Sequence, residues 1–208
     1  MIKAIVFDMG GVLIDLDLER CRRAFMEKAG YGRIDEILDA SHQKGIYSDL
    51  EEGLVSEDEF RRYIISGAAP GILPSDVDSA MWELLVGIDA YKADLLKELS
   101  GRYSLYLLSN NNGISMVRCR EIFRDAGIPM DRIFRRQFLS YEMKMLKPSS
   151  RIFEAAIAGV GLPAGEILFI DDSRPNVEAA RASGMNAVLY TPGTDLRSVL
   201  SEALGEAL

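Results

Sequence analysis

The sequence predicts an α/β protein whose parallel sheet core is interrupted near its amino terminus by an all-helical insertion. Three observations carry this. Short runs of β-branched and aromatic residues recur at positions 2 to 7, 104 to 109, about 132 to 138, 166 to 170 and 186 to 190. From the second run onward they alternate with helical patterns, as strands laid parallel through helical crossovers do. Between 16 and about 88 there is no strand pattern, only helical segments.

The first run, Ile2-Lys3-Ala4-Ile5-Val6-Phe7, reads as a buried strand that ends on Asp8 and turns sharply through Met9-Gly10-Gly11-Val12-Leu13. Parallel α/β sheets bind ligands at the carboxyl ends of their strands, so this turn delivers a carboxylate to where chemistry is done. The insertion's helical segments end at Gly30, Gly53 and Gly67. Ser56-Glu57-Asp58-Glu59 forms a capping box, and Ser75, after Pro74, is expected to cap the next helix. Because the insertion follows the Asp8 turn directly, its loops are expected to overhang the sheet's carboxyl edge as a lid. The expected division is a core of residues 1–15 and 89–208 and an insertion of residues 16–88. Farther along, Gly101, Gly127, Gly161 and Gly184 close the helices that start near Tyr91, Asn112, Pro148 and Arg174, each where a left-handed cap favours glycine.

Composition narrows the function. The 208 residues suffice for a full core with a smaller inserted unit. A net charge of -8 argues against a non-specific nucleic-acid partner, but a small anionic substrate is compatible with local positive charge. Cys21 and Cys119 lie in helical patterns without a CxxC pair and read as free thiols of a reducing compartment. The apolar start is broken by Asp8 too early for a signal-peptide core, and no window approaches membrane-spanning length, so a cytoplasmic protein without a membrane partner is expected. The only histidine, His42, lies in a polar stretch and reads as a surface residue, which removes the material for histidine relays and zinc sites. The glycines from Gly159 to Gly165 have the wrong spacing for a dinucleotide loop and follow a helix, so they read as a helix end and turn. The runs Arg20-Cys21-Arg22-Arg23 and Arg132 to Arg136 read as solvated faces.

Three more polar clusters fall at strand ends or at the following helix start: Ser109-Asn110, Lys147-Pro148 and Asp171-Asp172. Singly, each has an innocent reading, since Ser and Asn cap helices, a lone Lys is solvated and paired Asp residues cap or turn. On one edge of one sheet they are chemically coherent. Asp8 can attack a phosphoryl group, Ser109 and backbone amides can hold its oxygens, and Lys147 can neutralise charge. Three carboxylates held together repel unless a cation is present, and an all-oxygen ligand set with a phosphoryl partner points to Mg²⁺.

With these residues in hand, the chain resembles the haloacid dehalogenase superfamily of phosphohydrolases over nearly its whole length. Phe7-Asp8-Met9-Gly10-Gly11-Val12-Leu13 resembles the family's nucleophile motif, Leu108-Ser109-Asn110 its second, Lys147-Pro148 its third and Phe169-Ile170-Asp171-Asp172 its metal-binding fourth. The resemblance implies a Rossmann-like core with a four-helix cap, of which Glu51-Glu52-Gly53-Leu54-Val55-Ser56 resembles a recurrent segment. Within the subfamily, the Asp-x-Gly motif with Asp171-Asp172-Ser173-Arg174-Pro175-Asn176 is most similar to an α-D-glucose-1-phosphate phosphatase group. By resemblance, Asp8 is nucleophile and metal ligand, the Gly10 carbonyl a second ligand and Asp172 a third, with Asp171 close by. Lys147 is catalytic and binds substrate together with Gly10, Gly11, Ser109 and Asn110.

Gly10 departs from the family pattern, in which most phosphatases carry a second aspartate as general acid and base. Such assistance is worth roughly 10² to 10⁴ in rate. Its loss matters less for a leaving group stable as an anion, such as an anomeric sugar phosphate. Three readings follow. The leading one is a Mg²⁺-dependent phosphatase of small phosphorylated metabolites, of the sugar-phosphate kind, working through phospho-Asp8. The second is a metal-independent 2-haloacid dehalogenase, whose halide leaves without a proton, though Asp171-Asp172 would then only repel Asp8. The third is a weakly active phosphometabolite-binding protein that has lost turnover through Gly10.

Overall fold

A computed structural model describes residues 1–36, 38 and 45–208, and the reading of His42 lies outside them. Five parallel strands form the main sheet: β1 (Ala4–Phe7), β4 (Ser104–Ser109), β5 (Arg136–Leu139), β6 (Ile167–Asp171) and β7 (Asn186–Leu189), in the order β5-β4-β1-β6-β7. This is a Rossmann-like sheet. Its order reverses direction at β1, and such a switch point opens a crevice at the strands' carboxyl ends. The expected strand near 132 begins later, at Arg136, because Met130–Ile133 coil into a short helix, α7.

Parallel strands covered on both faces read as continuous apolar runs. On one face Ile5, Phe7, Leu105, Leu107, Leu168 and Ile170 meet α5 (Ala90–Ser100), α6 (Gly113–Asp125) and α11 (Leu196–Leu204). Ala4, Val6, Tyr106, Leu108, Ile167 and Phe169 face the other way, against α9 (Ser150–Val160) and α10 (Arg174–Ala182). Gly127, Gly161 and Gly184 adopt φ of 72°, 74° and 88°, as left-handed caps require. Gly101 does not. Its φ is -78°, and the helix end tightens instead, with the Arg102 and Tyr103 amides both donating to the Leu99 carbonyl at 2.9 and 2.8 Å.

The helical stretch between β1 and α5 contains α1 (Leu18–Glu27), α2 (Gly45–Glu51), α3 (Glu57–Ser66) and α4 (Pro74–Trp82), which bury Phe25, Phe60, Ile64, Val77 and Met81 against one another. The Ser56–Glu59 capping box forms in both directions. Ser75 does not cap α4. Leu73 holds that position, Pro74 takes the first helical place, and the Asp76 carboxylate accepts the Leu73 N–H at 2.8 Å. The expectation of no strand in this stretch is also corrected. β2 (Asp15–Leu16) and β3 (Leu85–Gly87) pair antiparallel where the chain leaves and re-enters the core, too briefly for a period-two pattern.

The buried Lys92 ammonium ties this ribbon down, reaching Asp15 at 2.9 Å and Asp89 at 3.8 Å. Cys21 and Cys119 are unpaired and buried, and burial pushes both thiols up to about 12. No helix of the described residues is long and apolar enough to cross a membrane.

Candidate active site

Asp8 follows the last residue of β1 and stays in register with the sheet, its N–H donating to the Ile170 carbonyl at 2.8 Å. The register places it beside Asp171, the last residue of β6. Two strands on either side of the switch point therefore bring their terminal carboxylates together. The Met9 N–H donates to Asp8 Oδ1 at 2.7 Å and fixes its rotamer. Burial, then the nearby charges of Asp171 and Asp172, outweigh the pull of Lys147 and raise the Asp8 carboxyl to about 7.

Lys147 stands between the two strand tips. Its Nζ reaches Asp171 Oδ2 at 2.6 Å and Asp8 Oδ1 at 3.0 Å, and its side chain is 1 % exposed. Burial works to lower its pKa, but Asp171 and Asp8 push it up to about 12, so it remains a cation. Asp171 is fully buried and saturated: besides Lys147 it accepts from the Ser173 N–H at 2.8 Å and from Asn176 Nδ2 at 3.0 and 3.1 Å. Asp172, one residue on, is half-buried, and burial followed by the Asp171 charge raises its carboxyl.

The donor set fits a hard divalent cation. Asp8, Asp171 and Asp172 each place a carboxylate oxygen within 4.8 Å of the others. Among the described residues nothing donates to the Gly10 carbonyl, which leaves a fourth oxygen available beside them. Because Lys147 and Asn176 already occupy Asp171, the ligands suited to the cation are Asp8, the Gly10 carbonyl and Asp172, with Asp171 behind. Gly11 adopts φ 75°, and a Cβ there would collide with the Asp172 carboxylate, so glycine at this position makes room for the acid.

Residues 2–184 match the family model of the haloacid dehalogenase-like hydrolases. The chain belongs to that family. This hydrolase is 34% identical over 205 residues, 98% of its length and 99% of the relative's, to the D-ribitol-5-phosphate phosphatase of Bacteroides thetaiotaomicron. Its fold is similar to that of a family enzyme from B. thetaiotaomicron solved as a variant in complex with magnesium and inorganic phosphate, with a TM-score of 0.91, 35% identity and coverage of 96% and 99% of the two chains. A predicted family hydrolase of Porphyromonas gingivalis is similar at a TM-score of 0.90 and 35% identity, covering 99% of each chain. A 2-haloacid dehalogenase of Pseudomonas syringae shares the fold alone, at a TM-score of 0.64 and 18% identity over 99% of each chain.

The hydrolase thus gathers Asp8, Gly10, Gly11, Lys147, Asp171 and Asp172 at one crevice. Ser109 lies buried at the end of β4, its hydroxyl directed to the Asn110 carbonyl at 3.3 Å. Asn110 spends both ends of its side-chain amide on the Lys147 backbone: Nδ2 donates to the Lys147 carbonyl at 3.1 Å and Oδ1 accepts the Lys147 N–H at 2.9 Å. Its amide group positions the lysine.

Sequence reasoning missed two residues. Asn176, read only as part of a motif, holds both oxygens of Asp171. Glu51, the last residue of α2, is buried, and burial, then the charge of Asp8, raises its carboxyl to about 8 against the pull of Lys147. The segment Glu51 to Ser56 was the only signal for it.

Proposed function

We propose that this hydrolase is a Mg²⁺-dependent phosphatase of small phosphorylated polyols and sugars, acting through phospho-Asp8, with residues 16–88 as a cap that sets substrate choice. One observation carries the reading: three carboxylates and one lysine converge on the switch point of the sheet. The named relative supports the substrate class, since it acts on D-ribitol 5-phosphate. That substrate carries its phosphate on a primary alcohol, which turns the reading of Gly10 away from anomeric phosphates.

Asp8 attacks phosphorus with the oxygen not held by the Met9 N–H and Lys147. Lys147 balances the negative charge that Asp8, Asp171 and the phosphoryl group bring together, while the Ser109 hydroxyl and the Gly10 N–H are the donors offered to the phosphoryl oxygens, the Gly11 N–H being spent on the Ile14 carbonyl at 2.9 Å. Asn110 and Asp171 keep the lysine in place from either side. When bound by Asp8, the Gly10 carbonyl and Asp172, Mg²⁺ supplies charge neutralisation for both the attacking carboxylate and the phosphoryl group. The acidic pair weighs against a dehalogenase, because without a cation it would only repel Asp8.

The test is a substrate panel with Mg²⁺: a pentitol 5-phosphate, a hexose 6-phosphate, a sugar 1-phosphate and a 2-haloacid, read by phosphate or halide release. Phosphate release from the alcohol phosphates, abolished by chelator, is expected. Halide release, or undiminished turnover in chelator, would overturn the reading.

A further inference from the structure

Asp172 and Gly11 form one wall of a second space, a cavity of about 540 Å³, which is a volume typical of small-molecule sites. Its other walls are β2, the start of α5 and the turn that follows β7. Among the described residues none of the walls comes from α1 to α4, so the cavity belongs to the core and the ribbon. Leu16 connects it to position 10. That side chain lines the cavity, and its Cδ1 lies 3.1 Å from where a Cβ on Gly10 would stand.

The same cavity holds a buried cation with donors to spare. Lys92 is 2 % exposed, and an ammonium carries three N–H donors. Among the described residues only Asp15 accepts one of them, at 2.9 Å, while Asp89 stands at 3.8 Å, beyond hydrogen-bond reach. Buried donors are as a rule satisfied, so N–H groups left idle in a cavity wall call for an oxygen ligand. Asp15 and Asp89 line the cavity too and remain partly exposed, which offers acceptors to the same ligand. The turn after β7 is already set: the Tyr190 hydroxyl donates to the Thr194 carbonyl at 2.8 Å, and the Thr194 hydroxyl to the Thr191 carbonyl at 2.7 Å.

A hydroxyl matches this lining, since it accepts from the ammonium and donates to a carboxylate at once. A second phosphate or a carboxylate only accepts, and it would meet the like charges of Asp15, Asp89 and Asp195.

We propose that this cavity receives the hydroxylated chain of the leaving group, with Lys92 and Asp89 selecting it. The proposal rests on the phosphatase reading above, and it gives substrate choice a determinant on the core side of the cap. The phosphoryl group stays with Asp8, Lys147 and Asp172, and the chain passes Gly10 and Leu16 until its hydroxyls reach the Lys92 ammonium. Lys92 and Asp89 do not touch the reacting atoms. They act on binding.

The experiment measures kcat and KM of the Mg²⁺-loaded enzyme for a pentitol 5-phosphate, for pentyl phosphate, which has the same length without hydroxyls, and for 4-nitrophenyl phosphate. Wild type should favour the pentitol ester over pentyl phosphate at least about 10-fold in kcat/KM, the worth of one charge-assisted hydrogen bond. Equal values overturn the proposal. Lys92→Met should raise KM for the pentitol ester about 10-fold with kcat nearly unchanged, against about 2-fold or less for the other two esters, because lost binding common to ground and transition states appears in KM. An equal loss on all three esters would confine Lys92 to holding the ribbon, and an unchanged KM for the pentitol ester would remove it from the site; either result overturns the proposal.

Asp89→Ala is the second variant, since the Asp89 side chain makes no capping hydrogen bond to α5 and its removal costs the helix no cap. The same selective rise in KM is expected, and its absence counts against the proposal. Failure of the phosphatase reading looks different, since no ester would then release phosphate. Calorimetric binding of the pentitol 5-phosphate to wild type and Asp89→Ala would in that event read the cavity alone, with equal affinities overturning the proposal.

Discussion

The Asp172 carboxylate fills the space in which a side chain on Gly11 would stand, so a candidate metal ligand just past the end of β6 depends on the absence of an atom in the β1 turn. The two residues are far apart in sequence, yet the parallel pairing of β1 with β6 brings their loops together. Gly11→Ala adds a methyl there and strains a backbone at φ 75°. Mg²⁺ affinity should fall at least about 10-fold, as for disturbed ligand surroundings generally. Calorimetric titration of the folded variant checks this, and wild-type affinity would refute the steric argument.

Asp8→Asn removes both the attacking oxygen's charge and a candidate ligand charge. Turnover should drop by roughly 10³-fold or more, in line with the loss of nucleophiles in other covalent mechanisms. Phosphate release measured at saturating Mg²⁺ decides it. An active variant would exclude phospho-Asp8.

Asn176→Ala leaves Asp171 without the amide that meets both its oxygens. A buried polar group stripped of its partner costs about 1–3 kcal/mol, visible in the denaturation midpoint. The freed Asp171 should hold Lys147 less firmly, lowering kcat roughly 10 to 100-fold. If kcat were unchanged while stability fell, the link from Asn176 to Lys147 would be wrong.

Leu16 Cδ1 lies 3.1 Å from where a Cβ on Gly10 would stand, so the place of an aspartate at position 10 is partly taken. Gly10→Asp should therefore cost about 1 kcal/mol through crowding, and Leu16→Ala in the same chain should relieve most of it. A double-mutant cycle should show coupling of about 0.5 kcal/mol or more. Strict additivity would mean that Leu16 moves aside freely.

Without metal, the pH dependence of stability follows from Asp8 and Glu51. Their carboxyls rise in the folded protein from ordinary values of 3.8 and 4.5 to about 7 and about 8. Between those limits the folded chain binds more protons than the unfolded one, so their contribution is fully present near pH 4 and is lost as pH rises through 7 and 8. The urea midpoint in chelator should fall from about pH 5 to about pH 8. Mg²⁺, by favouring ionised Asp8, should restore it at the upper end. Glu51→Gln should flatten the upper part of the fall, and a midpoint that rises across the range in chelator would contradict these assignments.

By itself the sequence determined the parallel sheet and the order of its polar strand ends, because strands buried on both faces must be continuous apolar runs and their carboxyl tips must carry the ligands. Asp8, Lys147 and Asp171-Asp172 were legible for that reason. Tertiary structure alone decided what depends on contacts between distant segments. The ribbon of β2 and β3, which joins residues about 70 positions apart, is too short to leave a pattern. The Asn110 amide turns inward because its partner is the backbone of Lys147, 37 positions away. Glu51 reads in sequence as one more acid beside Glu52. It becomes a buried group only in the folded chain, where the hydroxyl of Ser140, 89 positions on, anchors the end of its helix, and no local pattern encodes such a contact.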